Sequence, residues 1–278
     1  MTPIEGGARR LLVVLALSRA SVACGGGLPL LHQAQTLPAG DVQAAAGFSG
    51  NIATAGFASA LSSAQAEATA SGGTPSQPGT DPTYAKGALV AASIGPGLSP
   101  YGAARVGAGA DVEGGLAYTG RAIRIDLRRS FDLSTRWALS LGAGGSAALY
   151  GHQNGVILPN VDLGELHGWG ADVPVLVGYR SEGDLYSFWL GARGGWEHVD
   201  ISEVSSQGNV TLGEAPISLS ATRFWGGAVV GVAVGFRHLY VALELDASYA
   251  SVTGNYNATQ VQVSGITLAP ASALWWRF

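Results

Sequence analysis

The feature that most constrains this chain is a two-residue alternation in which one face is apolar and the other carries charge or glycine. Along 123–128, three aliphatic residues alternate with Arg124, Asp126 and Arg128. The same alternation recurs along 168–180 and 237–250. Successive side chains of a β-strand point to opposite faces, so each of these segments predicts a strand with one apolar and one polar face.

The composition indicates which of the two faces meets the solvent. In a soluble protein the polar face of a sheet contacts water and carries many charged residues. Only 12% of the residues of this chain are charged, and Lys86 is its one lysine. We therefore expect the inverted arrangement, in which the apolar face contacts lipid and the polar face lines a lumen. Lipid offers no hydrogen bonds to the backbone, so such a sheet must close.

The fold class predicted is all-β, a closed antiparallel transmembrane up-and-down β-barrel of about ten strands. An eight-stranded barrel is the alternative, reached if the first strand and one neighbour are absent. Long connections alternate with tight turns in the later half of the chain, which is typical of outer-membrane barrels. The predicted strands are 42–51, 98–107, 111–118, 122–130, 136–149, 168–180, 184–198, 219–235, 237–250 and 260–278.

The N-terminal region has the composition of an export signal. Arg9 and Arg10 precede a short apolar run and a region of small residues, which predicts a signal peptide over 1–23 that is cleaved off. Residues 21–24, Ser-Val-Ala-Cys, resemble the lipobox of bacterial lipoproteins, and this resemblance implies lipidation of Cys24. The alternative is ordinary signal cleavage with a free cysteine.

The rest of the chain then divides into a lipidated tether and a barrel. The tether is 24–40 and the barrel is 41–278, with a low-complexity insertion or loop at 53–84 that is rich in Ala, Ser and Gly. This insertion has few apolar anchors, so we expect it to be mobile, with an Ala-rich helix around 58–70 as the one regular element.

The C-terminus places aromatic residues on one face of the last strand. Leu274, Trp276 and Phe278 share that face. This pattern resembles the C-terminal assembly signature of bacterial outer-membrane barrels, a final strand that ends in Phe with an aromatic residue two positions earlier. The resemblance implies the outer membrane of a Gram-negative bacterium, with outer-membrane lipid and the barrel-assembly machinery as partners. Further aromatic residues are expected to form girdles at the two membrane interfaces: Trp137, Trp169, Trp196, Trp276, Tyr179, Tyr186 and Tyr249.

By strand parity, the lumen receives seven arginines and six carboxylates. Charges that nearly cancel in a narrow barrel favour internal ion pairs and a filled lumen, whereas an ion-selective pore shows one sign in excess. A small water-filled pore is the alternative. The predicted lumenal charge network consists of Arg105, Glu113, Arg124, Asp126, Arg128, Asp172, Arg180, Arg193, Glu197, Arg223, Glu244, Asp246 and Arg277.

Function is predicted only in outline. The leading hypothesis is a barrel lipoprotein with a structural or surface-interaction role and no enzymatic activity; a small passive channel for polar solutes is the first alternative. The second is a membrane-embedded lipid hydrolase or acyltransferase that uses His198 and Ser202. No metal-ligand cluster or cofactor motif occurs, so no cofactor is expected, and a formal charge of −4 argues against nucleic acid as a partner.

Overall fold

The computed structural model describes residues 27–70, 81–149, 158, 166–204 and 217–278. The described chain forms ten strands and two α-helices, with one short 3-10 turn at Glu182–Asp184. The element bounds are β1 Val42–Thr54, α1 Ala55–Ala70, α2 Pro82–Ile94, β2 Gly97–Gly109, β3 Val112–Tyr118, β4 Ala122–Asp132, β5 Trp137–Ala148, β6 Leu166–Arg180, β7 Tyr186–Val204, β8 Ile217–Phe236, β9 Leu239–Tyr256 and β10 Thr259–Arg277.

The strands form one closed antiparallel barrel. Each strand pairs with its neighbours in sequence, and β1 closes the barrel by pairing with β10, with Ala44 opposite Trp276. None of the ten described strands has an open edge, as lipid surroundings require. The predicted up-and-down barrel is confirmed with ten strands rather than eight.

The two ends of the barrel differ in their connections. At the end that carries Val42 and Phe278, four tight turns join β2–β3, β4–β5, β6–β7 and β8–β9; we call it the tight-turn end. Ala110 and Asp111 in the first of these turns have φ of 52° and 59°, the left-handed pair that a two-residue type I′ hairpin turn requires. The opposite end, which carries α1 and α2, is called the loop end.

The wall is inverted relative to that of a soluble protein. On the outside, Ile125 and Phe224 are each 62% exposed and Leu243 is 53% exposed. On the inside, Arg124 is 1% exposed and Glu113 is fully buried. An exterior of contiguous aliphatic and aromatic side chains is rare on soluble monomers, whereas a barrel with a lipid-facing exterior requires it.

The described part of the region expected as an insertion or loop at 53–84 is largely helical, since α1 covers the expected Ala-rich helix around 58–70 and α2 begins at Pro82. Asp81 caps the N-terminus of α2 by accepting hydrogen bonds from the backbone N–H groups of Thr83 at 2.6 Å and Tyr84 at 3.4 Å. Pro82 opens the helix, and Gly95 ends it with a left-handed φ of 56°. The sequence therefore contains the start and stop signals of α2, a helix that was not predicted.

Helix α2 lies inside the loop end of the barrel, and ten of its residues are buried. Its apolar side chains, Leu89 among them, share a core with α1 and with the inner faces of β7, β8 and β9. Glycines in the wall permit this approach: a Cβ on Gly254 would lie 2.9 Å from Leu89 Cδ2. Only the first two residues of α2 and Lys86 are exposed, so a helix buried over most of its length explains why few charged residues occur in this segment.

Candidate functional site: a charged lumen that holds an internal plug

The described part of the expected tether, residues 27–40, lies inside the lumen. Leu30, Leu31 and Ala34 are almost completely buried, and they pack in an apolar cluster with Trp189 and Trp275 of the wall. The segment enters from the tight-turn end, where the Gly40 N–H donates to the Gly107 carbonyl at 2.9 Å. We call residues 27–41 the plug. The described part of the predicted tether is therefore a lumenal segment, whereas Cys24 and the signal at 1–23 lie outside the described residues.

One wall carboxylate binds the plug backbone near the N-terminal end of the plug. Glu244 accepts hydrogen bonds from the backbone N–H groups of Leu30 at 2.6 Å and Leu31 at 2.8 Å, and from Trp189 Nε1 at 2.9 Å. Three hydrogen-bond donors therefore surround this buried carboxylate, and two of them belong to the plug backbone. Trp189 fits opposite a glycine, because a Cβ on Gly231 would lie 2.2 Å from its ring.

A wall arginine grips the middle of the plug. Arg128 donates to three consecutive plug carbonyls, those of Gln33, Ala34 and Gln35, the last at 3.0 Å. Its remaining N–H groups bind Glu113, at 2.8 Å for Nη2. Because the acceptors are backbone carbonyls, the binding of Arg128 depends on the backbone conformation of the plug more than on the identity of its side chains.

Glu113 connects the plug to the ion-pair layer. It accepts from the Leu37 N–H at 2.8 Å and also binds Arg105 and Arg128. The same carboxylate therefore holds both the peptide and two cations. Buried carboxylates and guanidinium groups need such complete pairing, because an isolated buried charge is very costly.

The ion pairs continue around the barrel as a layer. Arg105 and Arg124 both bind Asp126, and Arg124 reaches Asp172 at 2.8 Å. Arg193 binds the other side of Asp172 at 3.0 Å. The structure thus brings seven of the thirteen residues of the predicted network into this layer, and adds the plug backbone as a ligand that was not predicted.

The remaining members of the predicted network lie nearer the two ends. Arg223 binds Glu197 at 2.7 Å in the half towards the loop end, and Asp246 lies 3.9 Å from Arg193. At the tight-turn end, Arg277 pairs with Asp184, which sequence analysis missed, and Arg180 lines the same pocket.

Wall side chains also hold the C-terminal end of α2. Asn51 Nδ2 donates to the Ile94 carbonyl at 2.6 Å, Arg223 Nη1 to the Ser93 carbonyl at 3.3 Å, and Arg121 Nη2 to the Ala92 carbonyl. These are carbonyls of the last helical turn, which lack partners within the helix. Two cations at the negative end of a helix are also favourable. Arg121 was not among the predicted lumenal residues. The one signal in the sequence is its position just before β4, which is consistent with a side chain that points into the lumen.

A carboxylate pair joins α1 to α2 at the loop end. Burial and a hydrogen bond with Asp81 raise the pKa of Glu67 to about 7. The same hydrogen bond from Glu67 lowers the pKa of Asp81, which also caps α2. The two carboxyl groups therefore share a proton in mildly acidic solution.

The three residues of the C-terminal signature, Leu274, Trp276 and Phe278, lie on the outer face of β10. Their exposed fractions are 54%, 47% and 69%. The intervening Trp275 is buried in the lumen against Trp189, with ring centroids 5.8 Å apart.

His198 belongs to a polar group on the outer face, near the loop end. Its Nε2 lies 2.8 Å from Asp200 Oδ2, and its Nδ1 lies 3.0 Å from Thr222 Oγ1. Ser202 is a residue of β7 whose side chain lies outside the described atoms. Among the described residues there is no cluster of three or more His, Cys, Asp or Glu side chains that could hold a metal.

Two groups of aromatic residues flank the apolar belt. Trp169 and Trp196 contact each other towards the loop end, with ring centroids 4.3 Å apart. Trp137 and Tyr179 do so at the tight-turn end, 5.4 Å apart. Ten residues along β6 separate Trp169 from Tyr179, and at ~3.3 Å per residue and a tilt of ~40° they span roughly 25 Å of membrane.

That height is the height of the apolar band of an outer-membrane barrel. The chain is a closed β-barrel of the outer-membrane type. Neither described helix is long and apolar enough to cross a membrane.

Comparisons with known proteins add the following. No family model and no curated protein sequence matches the chain. Three solved structures illustrate its structural neighbours. The attachment invasion locus protein Ail of Yersinia pestis has a TM-score of 0.28 and 13% identity over 86% of this chain and 99% of Ail. The outer membrane protease OmpT from Escherichia coli has a TM-score of 0.38 and 11% identity over 88% of this chain and 100% of OmpT. The COG4313 outer membrane channel from Pseudomonas putida F1 has a TM-score of 0.39 and 12% identity over 88% of this chain and 97% of that channel. At these scores the neighbours carry no argument about what this chain does.

Proposed function

We propose that this protein is a closed, non-conducting barrel in the outer membrane of a Gram-negative bacterium, with a structural or surface-interaction role at its loop end. The observation that carries the proposal is the filling of the lumen from both ends. The plug occupies the tight-turn half, and α2 occupies the loop half.

The use of the lumenal charges supports this proposal over a passive channel. Three charged wall residues form hydrogen bonds with the plug backbone: Arg128, Glu113 and Glu244. A selective pore leaves charges of one sign free to meet the passing ion. Here the charges bind each other and the peptide.

Conductance tests the proposal directly. The purified barrel, shown to be folded by its changed gel mobility before boiling, is reconstituted in a planar bilayer beside a porin prepared in the same way. We expect no steady conductance from this barrel and normal channels from the porin. Stable open channels from the folded wild-type barrel would support the passive-channel alternative instead.

We propose further that Cys24 is lipidated, on the strength of the lipobox-like residues 21–24. We also propose that the barrel-assembly machinery recognises the last strand through Trp276 and Phe278, which point outward where a partner can reach them. Deletion of Phe278 is expected to lower the yield of folded barrel in membranes, whereas replacement by Trp, another aromatic residue, is expected to preserve it.

A lipid-modifying enzyme is the second candidate function, favoured by one specific observation. Asp200, His198 and Thr222 form an orienting acid, a base and a hydroxyl in hydrogen-bond sequence, which is the arrangement of an activated nucleophile. Since these residues lie on the outer face near Trp169 and Trp196, a lipid headgroup is within reach.

Matched variants test this second candidate. Thr222→Val and His198→Ala are expected to abolish a change in envelope lipids that the wild-type protein causes. Thr253→Val is the control, because Thr253 pairs with Thr222 on the neighbouring strand and its side chain is exposed. Identical lipids with and without the protein would remove the enzyme hypothesis.

A further inference from the structure

A cavity of about 70 Å³ lies in the lumen between the plug and α2. Gly27 of the plug and Ile94 of the helix form two of its boundaries, and the β3–β4 turn forms another. A single water molecule requires about 10–15 Å³ of such space. The cavity therefore has room for roughly five or six non-hydrogen atoms.

Polar atoms without partners converge on this cavity. Among the described residues, Asn51 Oδ1, Thr119 Oγ1, Arg223 Nε and Asp246 Oδ1 are buried and accept or donate no hydrogen bond. All four residues line the cavity, although they come from four different parts of the wall. Buried polar atoms are nearly always paired, so the four indicate a polar occupant with both donors and acceptors.

The charges of the lining define the occupant further. Arg193 is satisfied by Asp172, and Arg223 by Glu197. That leaves Arg121, which has no carboxylate within 4.0 Å in the described part of the chain, and Asp246, whose nearest described cation lies 3.9 Å away. One cation and one anion therefore face the same small space without close counterions.

We propose that this cavity binds a small zwitterionic solute, an α-amino acid of the size of glycine or alanine. Its ammonium group donates to Asp246 Oδ1 and Asn51 Oδ1, and its carboxylate accepts from Arg121 and Arg223 Nε. Trp225 and Ile94 close the sides, so that a longer side chain does not fit. A free anion is repelled by Asp246, and a free cation by Arg121.

The cavity lies on the loop-end side of the plug, next to the C-terminal turn of α2. Thr119 and Arg121 belong to the β3–β4 turn, which joins Tyr118 to Ala122 and is a short connection at that end. A solute binding there does not need to cross the plug, so the site is compatible with a closed barrel.

Binding of labelled glycine to the full folded barrel in detergent tests the proposal. We expect one glycine per barrel, with methylammonium, acetate and leucine each binding at least tenfold more weakly. Asp246→Asn keeps the size of the side chain and removes its charge, so it is expected to weaken glycine binding at least tenfold. Asp132→Asn, a change at an exposed carboxylate on β4, is the matched control and is expected to have no effect.

Two results with the wild-type barrel would overturn the proposal, as would one result with a variant. If the folded barrel binds no glycine, the cavity holds water only. If acetate binds as well as glycine, the site is a simple anion site. Should Asp246→Asn fail to fold, Thr119→Val removes one cavity hydroxyl without changing charge. That variant is expected to bind glycine several-fold more weakly, and unchanged affinity there would also contradict the assignment.

Discussion

The replacement Arg128→Met tests whether the Arg128 side chain holds the plug in the lumen. It removes the donor to the carbonyls of Gln33, Ala34 and Gln35 and one of the two cations of Glu113. Removal of one partner from a buried ion pair costs about 3–5 kcal/mol. If all of that cost falls on the docked plug, its opening equilibrium rises roughly 150- to 5,000-fold, at 1.36 kcal/mol for each factor of ten.

Hydrogen–deuterium exchange measures this opening at individual amides. The Leu37 N–H donates to Glu113, and the Leu30 and Leu31 N–H groups donate to Glu244. If the plug leaves as one unit, all three amides exchange faster in the variant while the amides of the strands stay protected. Arg129→Met is the matched control, because Arg129 is the next residue and points outward over the Phe131 ring.

The pattern of exchange decides between three outcomes. Acceleration at Leu37 alone means that the plug is held at independent points rather than as a unit. Unchanged exchange at all three amides, in a variant whose strands remain protected, would refute the claim that Arg128 holds the plug. Equal acceleration in both variants would show that the effect has nothing to do with the lumen.

Three further predictions concern the loop end and the N-terminus. Because the pKa of Glu67 is raised to about 7 from 4.5, the folded helix pair binds the extra proton. Its docking should therefore weaken as the pH rises from about 4.5 to about 7. Lysyl endopeptidase cleaves after Lys86, the one lysine, and its cleavage rate, normalised to that of a peptide substrate, measures this docking. The normalised rate is expected to rise over this pH range. A Glu67→Gln variant that keeps the same pH dependence would contradict the prediction. Gly95→Ala is expected to speed the same cleavage roughly fivefold or more, because φ is 56° and the new Cβ would lie 1.8 Å from Arg121 Nη1; an unchanged rate would contradict the proposed docking of α2. Cys24→Ser is expected to abolish metabolic labelling with lipid, and normal labelling of that variant would refute lipidation.

The barrel wall was predictable because its pattern is local. In β4, Ile125 faces outward while Arg124 and Arg128 are buried, as the alternation in the sequence indicates. The parity of a strand fixes the direction of each side chain, so the lumenal carboxylates could be assigned before their partners were known. The ends of most strands agree with the predicted ends to within a few residues.

The contents of the lumen were not predictable in the same way. Nothing in residues 27–41 shows that Leu30 and Leu31 meet Glu244, which is more than two hundred residues away in sequence. The balance of positive and negative lumenal residues predicted ion pairs between side chains. It did not predict bonds to the plug backbone, because a backbone carbonyl carries no formal charge. Helix α2 did leave local signals, Asp81 and Pro82 at its start and Gly95 at its end, but the Ala- and Ser-rich composition around them obscured a helix that is buried rather than amphipathic.

The central claim is that the exposed apolar faces of the strands touch hydrocarbon. Nitroxide labels placed singly at Val241, Leu243 and Leu245 in a Cys24→Ser background, reconstituted in lipid bilayers, measure this by their collisions with dissolved oxygen and with a water-soluble nickel complex. We predict frequent collisions with oxygen and rare collisions with nickel at all three positions, with the strongest contrast at Leu243, midway between the others. Frequent nickel collisions, or protection from both reagents, would mean that these faces meet water or another protein surface instead.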